Sequence, residues 1–126
     1  MSVEVLDFHH ASLLVADTQR SLDFYQGILG LQLLDSRPPL NFPGAWLALG
    51  RYQIHLMELP NPDAVAERPA HGGRDRHLAL TVRDFEQLRQ TLDQAGIDYS
   101  CSQSGRKALF CRDPDGNTLE FVPADA

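Results

Sequence analysis

The chain carries one pattern twice. Superposing His10 on His77 aligns Val15 with Val82, five residues on, and Asp17 with Asp84, seven residues on. Each half then runs through a helical pattern closed by glycine, Gly30 at 20 residues from its histidine and Gly96 at 19. Each half ends in a strand pattern, with His55 at 45 residues from His10 and Glu120 at 43 from His77. A repeat of this length is one supersecondary unit that buries its apolar face with help from a neighbour, so it constrains the fold more than any single motif. The 126 residues suffice for one domain with a real core.

Within the first copy, Phe8 to Val15 alternates as a strand, with Ala11, Leu13 and Val15 on one face and His10, Ser12 and Leu14 on the other. Asp17 or Thr18 caps a helix whose stripe is Leu22, Tyr25 and Leu29. Further strands are expected at Leu31–Leu34, Ala45–Leu49 and Tyr52–Leu59, the last with Gln53, His55 and Met57 on one face. In the second copy His77–Val82 alternates the same way, Asp84 and Gln87 form a capping pair, and Phe85, Leu88, Leu92 and Ala95 make a helical stripe. Strands follow at Ile97–Ser100, Lys107–Cys111 and Thr118–Val122. Asp113-Pro-Asp-Gly-Asn117 reads as a tight turn into the last of these, which puts Leu119 and Phe121 on one face and Glu120 on the other. The expected fold is therefore α+β: two paired βαβββ modules, about 6–60 and 76–124, joined by a polar linker at about 60–75. Together they form a curved, eight-stranded, open barrel-like cavity with the helices outside.

The repeat makes His10 equivalent to His77 and His55 equivalent to Glu120, all on the face away from the helices. A lone histidine on a strand is usually structural. Three imidazoles and a carboxylate at equivalent, cavity-facing positions are harder to explain by packing, because crowding them without a cation carries a desolvation cost. The four are candidate ligands of a divalent metal, and this donor set suits Zn, Ni, Fe, Co or Mn. His9, on the other face, and His71, in the linker, read as structural or exposed. Trp46, Tyr52, Met57, Leu14 and Phe110 are pocket walls or plain core. Arg106 and Lys107 read as solvated charge on a turn.

Composition narrows the functional classes. A net charge of −6 argues against a general nucleic-acid or anionic-membrane binder. No apolar run spans a bilayer, and Met1-Ser2-Val3-Glu4 lacks the features of a signal peptide, which points to the cytoplasm. Cys101 and Cys111 sit in neighbouring strand candidates where they could face each other, and are expected to be reduced packing residues.

The stretches His10-Ala-Ser-Leu-Leu-Val15-Ala-Asp17, Ser21-Leu-Asp-Phe-Tyr25 through Leu29-Gly30-Leu31, His77-Leu-Ala-Leu-Thr-Val82 and Asp113-Pro-Asp-Gly-Asn117 through Glu120 resemble the vicinal oxygen chelate superfamily, the glyoxalase, bleomycin-resistance and dioxygenase group. The resemblance covers nearly the whole chain. It implies a metal at His10, His55, His77 and Glu120, a small-molecule substrate chelated through adjacent oxygens, and a homodimer. Glyoxalase I enzymes usually have a glutamate where this chain has His55, so Glu120 is the one carboxylate left for proton transfer and the candidate catalytic residue. The implied activity is a metal-dependent glyoxalase-like lyase or isomerase, with a thiol adduct of an α-oxoaldehyde as a candidate substrate. An extradiol-type dioxygenase, a fosfomycin-type thiol transferase and a non-catalytic bleomycin-resistance-like binding protein are the alternatives.

Overall fold

A computed structural model describes residues 2–63 and 65–124. The chain divides into two compact units, one ending at Pro60 and one beginning at Asn61. Each unit is one copy of the repeat, a four-stranded sheet with a helix on one face.

In the first unit the strands are β1 (His10–Val15), β2 (Leu33–Leu34), β3 (Gly44–Leu49) and β4 (Tyr52–Glu58), in the spatial order β1-β4-β3-β2. The edge strand β1 runs parallel to β4, and the other pairs are antiparallel. A parallel pair needs a crossover, and the helix between β1 and β2 provides it. That helix, α1 (Thr18–Leu22), opens at Asp17, whose carboxylate accepts from the Arg20 N–H at 3.2 Å. The sequence pattern suggests one continuous α-helix to Gly30. Instead the backbone widens into a π-helical segment over Asp23–Ile28, with Leu29 N–H bonding Phe24 O at 3.0 Å. The wider turn still buries Phe24 and Tyr25, and Val15, Leu47, Ile54 and Leu56 of the same unit are buried as well. Those residues are the inward-facing alternates of β1, β3 and β4, so period-2 and near-helical patterns meet in one core.

The second unit repeats the plan with β5 (His77–Val82), α2 (Phe85–Gln94), β6 (Tyr99–Cys101), β7 (Leu109–Arg112) and β8 (Thr118–Pro123), in the order β5-β8-β7-β6. Asp84 caps α2 by accepting from Gln87 N–H at 3.0 Å. Phe85, Leu88 and Leu92 are buried, as are Leu109, Cys111, Leu119 and Phe121 from the sheet. Cys101 pairs in register with Leu109 and Cys111 with Tyr99, so the two cysteines do not face each other, and both are free. Burial pushes the Cys111 thiol up to about 12, with the Asp113 charge adding to it, which makes it an inert packing residue.

Two loop features are tied to this sheet. The turn before β8 is held by Asp113, which accepts from Asp115 N–H, Asn117 N–H and the Asn117 side-chain amide, all at 2.9 Å. Gly116 sits there at φ 84°, and a Cβ would come 2.9 Å from Val65 O, so the position requires glycine for both reasons. The expected linker is not free over its second half. A short 3₁₀ turn, Gly72–Arg74, packs where a Cβ on Gly72 would meet Thr118 and Phe110. His71, expected to be exposed, is half-buried: its Nδ1 lies 3.1 Å from Ser100 Oγ and its ring meets Phe110 edge-on. The glycine-rich backbone lets this segment lie against the sheet, and the imidazole follows it.

Candidate metal centre

The two parallel strand pairs have the same register. His10 pairs with Gln53, so His55 lies one diagonal step away on the same face. His77 pairs with Thr118, so Glu120 lies one diagonal step away on the same face. Each unit therefore carries two candidate ligands side by side, on its edge strand and the strand next to it. On both sheets they occupy the face opposite the helix, because the intervening residues Ile54 and Leu56, and Leu119 and Phe121, are the ones buried as core.

In the first unit the pair is part of a stack of rings. The His10 and His55 rings lie 4.0 Å apart at 20°, and Trp46 covers the other face of His55 at 4.0 Å and 4°. Trp46 is thus a wall of the candidate site. His55 Nε2 lies 2.7 Å from Gln53 Oε1 and donates to it, which leaves the lone pair on Nδ1. The His55 pKa falls to about 4, first because of burial and then because of the neighbouring His10, His9 and Arg37. At neutral pH this imidazole is uncharged, the form that binds metals without releasing a proton. His10 is exposed, and its Nδ1 lies 2.7 Å from His9 Nδ1, so one of the two rings donates to the other.

In the second unit the donor inventory is more specific. His77 Nδ1 lies 2.8 Å from the Asp75 carbonyl oxygen, which only accepts, so Nδ1 carries the proton. His77 Nε2 then faces Glu120 Oε1 at 3.0 Å. Two lone-pair atoms that close need a positive species between them, a proton or a metal ion. The chemistry of this donor pair fits a divalent cation. Glu120 is buried, with 3% of its surface exposed, and its other oxygen is met by the Arg106 guanidinium. Arg106 is therefore a partner of the carboxylate rather than solvated charge, although its side chain remains 57% exposed. Lys107 is not simply solvated either, because its ammonium lies over the Phe85 ring at 5.1 Å. Phe110 pairs with Glu120 across the ladder and stands edge-on to His77 at 5.4 Å. A cavity of about 460 Å³ opens in this unit, lined in part by Tyr99, Ser100, Phe110, Arg112 and Thr118.

The expected residues are thus found in two pairs, His10 with His55 and His77 with Glu120. Among the described residues no three or more histidine, cysteine, aspartate or glutamate side chains gather as a metal-binding group. Of the other candidates, Tyr52 donates from its hydroxyl to Asp7 at 3.0 Å instead of facing the ligand pair. Sequence reasoning missed Gln53 and Asp75, which fix ring tautomers. The only available signal was their position two residues before a candidate ligand, which does not reveal a bond.

The sequence matches the model of the Glyoxalase/Bleomycin resistance protein/Dioxygenase superfamily over residues 7–121. Glyoxylase I 4 of Arabidopsis thaliana is 30% identical over 129 residues, covering 98% of this chain and 74% of the relative. The glutathione transferase FosA of Serratia marcescens is 34% identical over 116 residues, covering 90% and 77%. A crystal structure of a mutant of the fosfomycin resistance protein FosX of Listeria monocytogenes, complexed with Mn(II) and 1S,2S-dihydroxypropylphosphonic acid, shares the fold. Its TM-score is 0.74 at 16% identity, with 95% of this chain and 93% of that one covered. No helix of the described residues is long and apolar enough to cross a membrane. The matched span and the repeated βαβββ units make this chain a member of the glyoxalase, bleomycin resistance protein and dioxygenase superfamily.

Proposed function

We propose that the protein is a metal-dependent lyase or isomerase of the glyoxalase-like kind, with His10, His55, His77 and Glu120 as ligands of one divalent cation. The observation that carries this reading is the shared register: the same diagonal pair of positions on each sheet bears metal-donor side chains. The similarity to Glyoxylase I 4 across almost the whole chain supports the activity class. A divalent cation held by these residues would polarise adjacent substrate oxygens and stabilise negative charge developing on one of them.

The chain's own residues would do the rest. His10, His55 and His77 bind as neutral imidazoles, and Gln53 and Asp75 hold two of these rings in fixed tautomers. Glu120 is the one carboxylate of the set, so proton abstraction from the substrate carbon falls to it. Trp46 and Phe110 limit water around the two donor pairs. The substrate class is a small α-oxygenated compound, of which the thiol hemithioacetal of an α-oxoaldehyde is the first to assay.

The test is metal uptake followed by turnover. Purified protein loaded in turn with Zn, Ni, Co, Mn and Fe(II) is assayed with the hemithioacetals of methylglyoxal. Metal-dependent thioester formation supports the reading, and the lack of stoichiometric uptake of any of these metals would refute it. Thiol transfer to an epoxide is the second reading, favoured by the 34% identity to FosA. Fosfomycin with a thiol, assayed on the same loaded samples, separates the two. A homodimer is the proposed assembly, and sedimentation equilibrium measures it.

A further inference from the structure

Asp75 does more than precede a ligand. Its carbonyl oxygen accepts from His77 Nδ1 at 2.8 Å. Its carboxylate is gripped from two sides. Arg68 binds it through two nitrogens, Nε to Oδ2 at 2.9 Å and Nη2 to Oδ1 at 2.8 Å. Arg112 donates to Oδ2 at 2.7 Å, and the Arg76 N–H to Oδ1 at 2.8 Å. Only 9% of the Asp75 side chain is exposed. The Arg68 hydrogen bond, with help from Arg112 and against the cost of burial, holds its carboxyl well below the usual carboxylate range. Arg112 also donates to Gly116 O at 2.8 Å, Thr118 Oγ1 at 2.6 Å and Pro69 O at 2.6 Å. One guanidinium thus ties the segment before β5 to the start of β8, the strand that bears Glu120.

We propose that Asp75 is the positioning residue of His77. The clamp of Arg68 and Arg112 on its carboxylate fixes the backbone carbonyl that keeps the proton on Nδ1 and turns Nε2 toward the metal position beside Glu120. A bidentate arginine–carboxylate pair is geometrically rigid, and the carboxylate in turn holds the Arg76 N–H, which shares a peptide plane with the carbonyl three bonds away. A partner fixed in this way sets both the tautomer and the ring orientation of a metal-binding histidine. The clamp serves one histidine only. The position equivalent to Asp75 in the first unit is Phe8, and His10 meets the His9 ring instead.

This inference rests on the metal reading above, and the test separates the two. The protein with nitrogen-15 in its histidines is titrated with zinc and followed by long-range proton–nitrogen NMR, alongside Asp75→Asn and Arg68→Gln. Arg68 lies outside the ligand set, so that variant serves if Asp75→Asn folds poorly. In the wild type, His77 should bind zinc through Nε2 while Nδ1 keeps a slowly exchanging proton. In both variants that proton should exchange at least about tenfold faster, with zinc affinity falling about tenfold or more. In the metal-free samples the His55 resonances of both variants should match those of the wild type. Zinc on Nδ1 of His77, or wild-type proton exchange and affinity in both variants, would overturn the role of Asp75 while leaving the metal reading standing. No zinc uptake by the wild type would overturn the metal reading, and the positioning role with it.

Discussion

His10 opens β1 and His77 opens β5, each one diagonal step from its partner on a parallel strand. The surroundings of the two differ. His77 leans on a backbone carbonyl whose residue is locked by two arginines, and its partner Glu120 is buried and charge-paired. His10 leans on an exposed neighbouring imidazole, and its partner His55 is held by stacked rings instead of charge. The repeat therefore keeps register, a backbone property, while each copy supports its candidate ligands by a different force. The second unit is the electrostatically organised half and the first is the half organised by packing. Substitutions should reveal that division.

The largest effect is expected at Glu120. Glu120→Gln keeps the side chain's size but removes the only carboxylate of the set, and should abolish turnover while weakening metal binding less. Equal losses of both, measured by steady-state kinetics and calorimetry on the same samples, would count against a base role. On the packing side, Trp46→Ala removes the ring that covers His55. It should destabilise the metal-free protein by about 1–3 kcal/mol, read from urea unfolding. Unchanged stability would mean that the stack does not hold His55.

An acid limb should come from the first unit. The folded His55 pKa of about 4 lies below its ordinary value of 6.5. Between these values the unfolded chain binds more protons than the folded one, so this contribution is complete above pH 6.5 and declines as pH falls toward 4. His55→Gln should flatten that part of the stability–pH curve of the metal-free protein, and an unaltered slope would contradict the burial of a neutral ring.

A smaller effect of opposite sign is expected at Arg106. Its guanidinium already holds one Glu120 oxygen, so if a cation binds there Arg106→Gln should tighten metal binding several-fold by relieving like-charge repulsion. Weaker binding would instead make Arg106 a support of the ligand. The smallest effect is expected for His9→Ala, within about 0.5 kcal/mol in stability because the ring is exposed.

Most of the architecture could be read from the chain because it rests on local periodicity. The alternation of Leu78, Leu80 and Val82, and of Leu119 and Phe121 around Glu120, is a backbone property visible in any strand. Gly30 and Gly96 end the helical segments with φ of 78° and 70°, as their place after each apolar stripe suggests. The π-helical turn over Asp23–Ile28 was not legible, because helical spacing fits Leu22, Tyr25 and Leu29 equally well with or without one widened turn. Nor were the partners of Asp75 and Arg106. Arg112 reaches Asp75 across 37 residues, and Arg106 reaches Glu120 across 14. Such contacts depend on where loops lie over a finished sheet, and residue type alone does not encode that.

Under the proposed function both halves serve one cation, and metal content after equilibrium dialysis of the wild type, His10→Ala and Glu120→Ala is the measurement that can break it. Each substitution touches a different unit. One divalent ion per chain is expected in the wild type, with loss of tight binding in both variants. Retention of a full equivalent by either variant would contradict it.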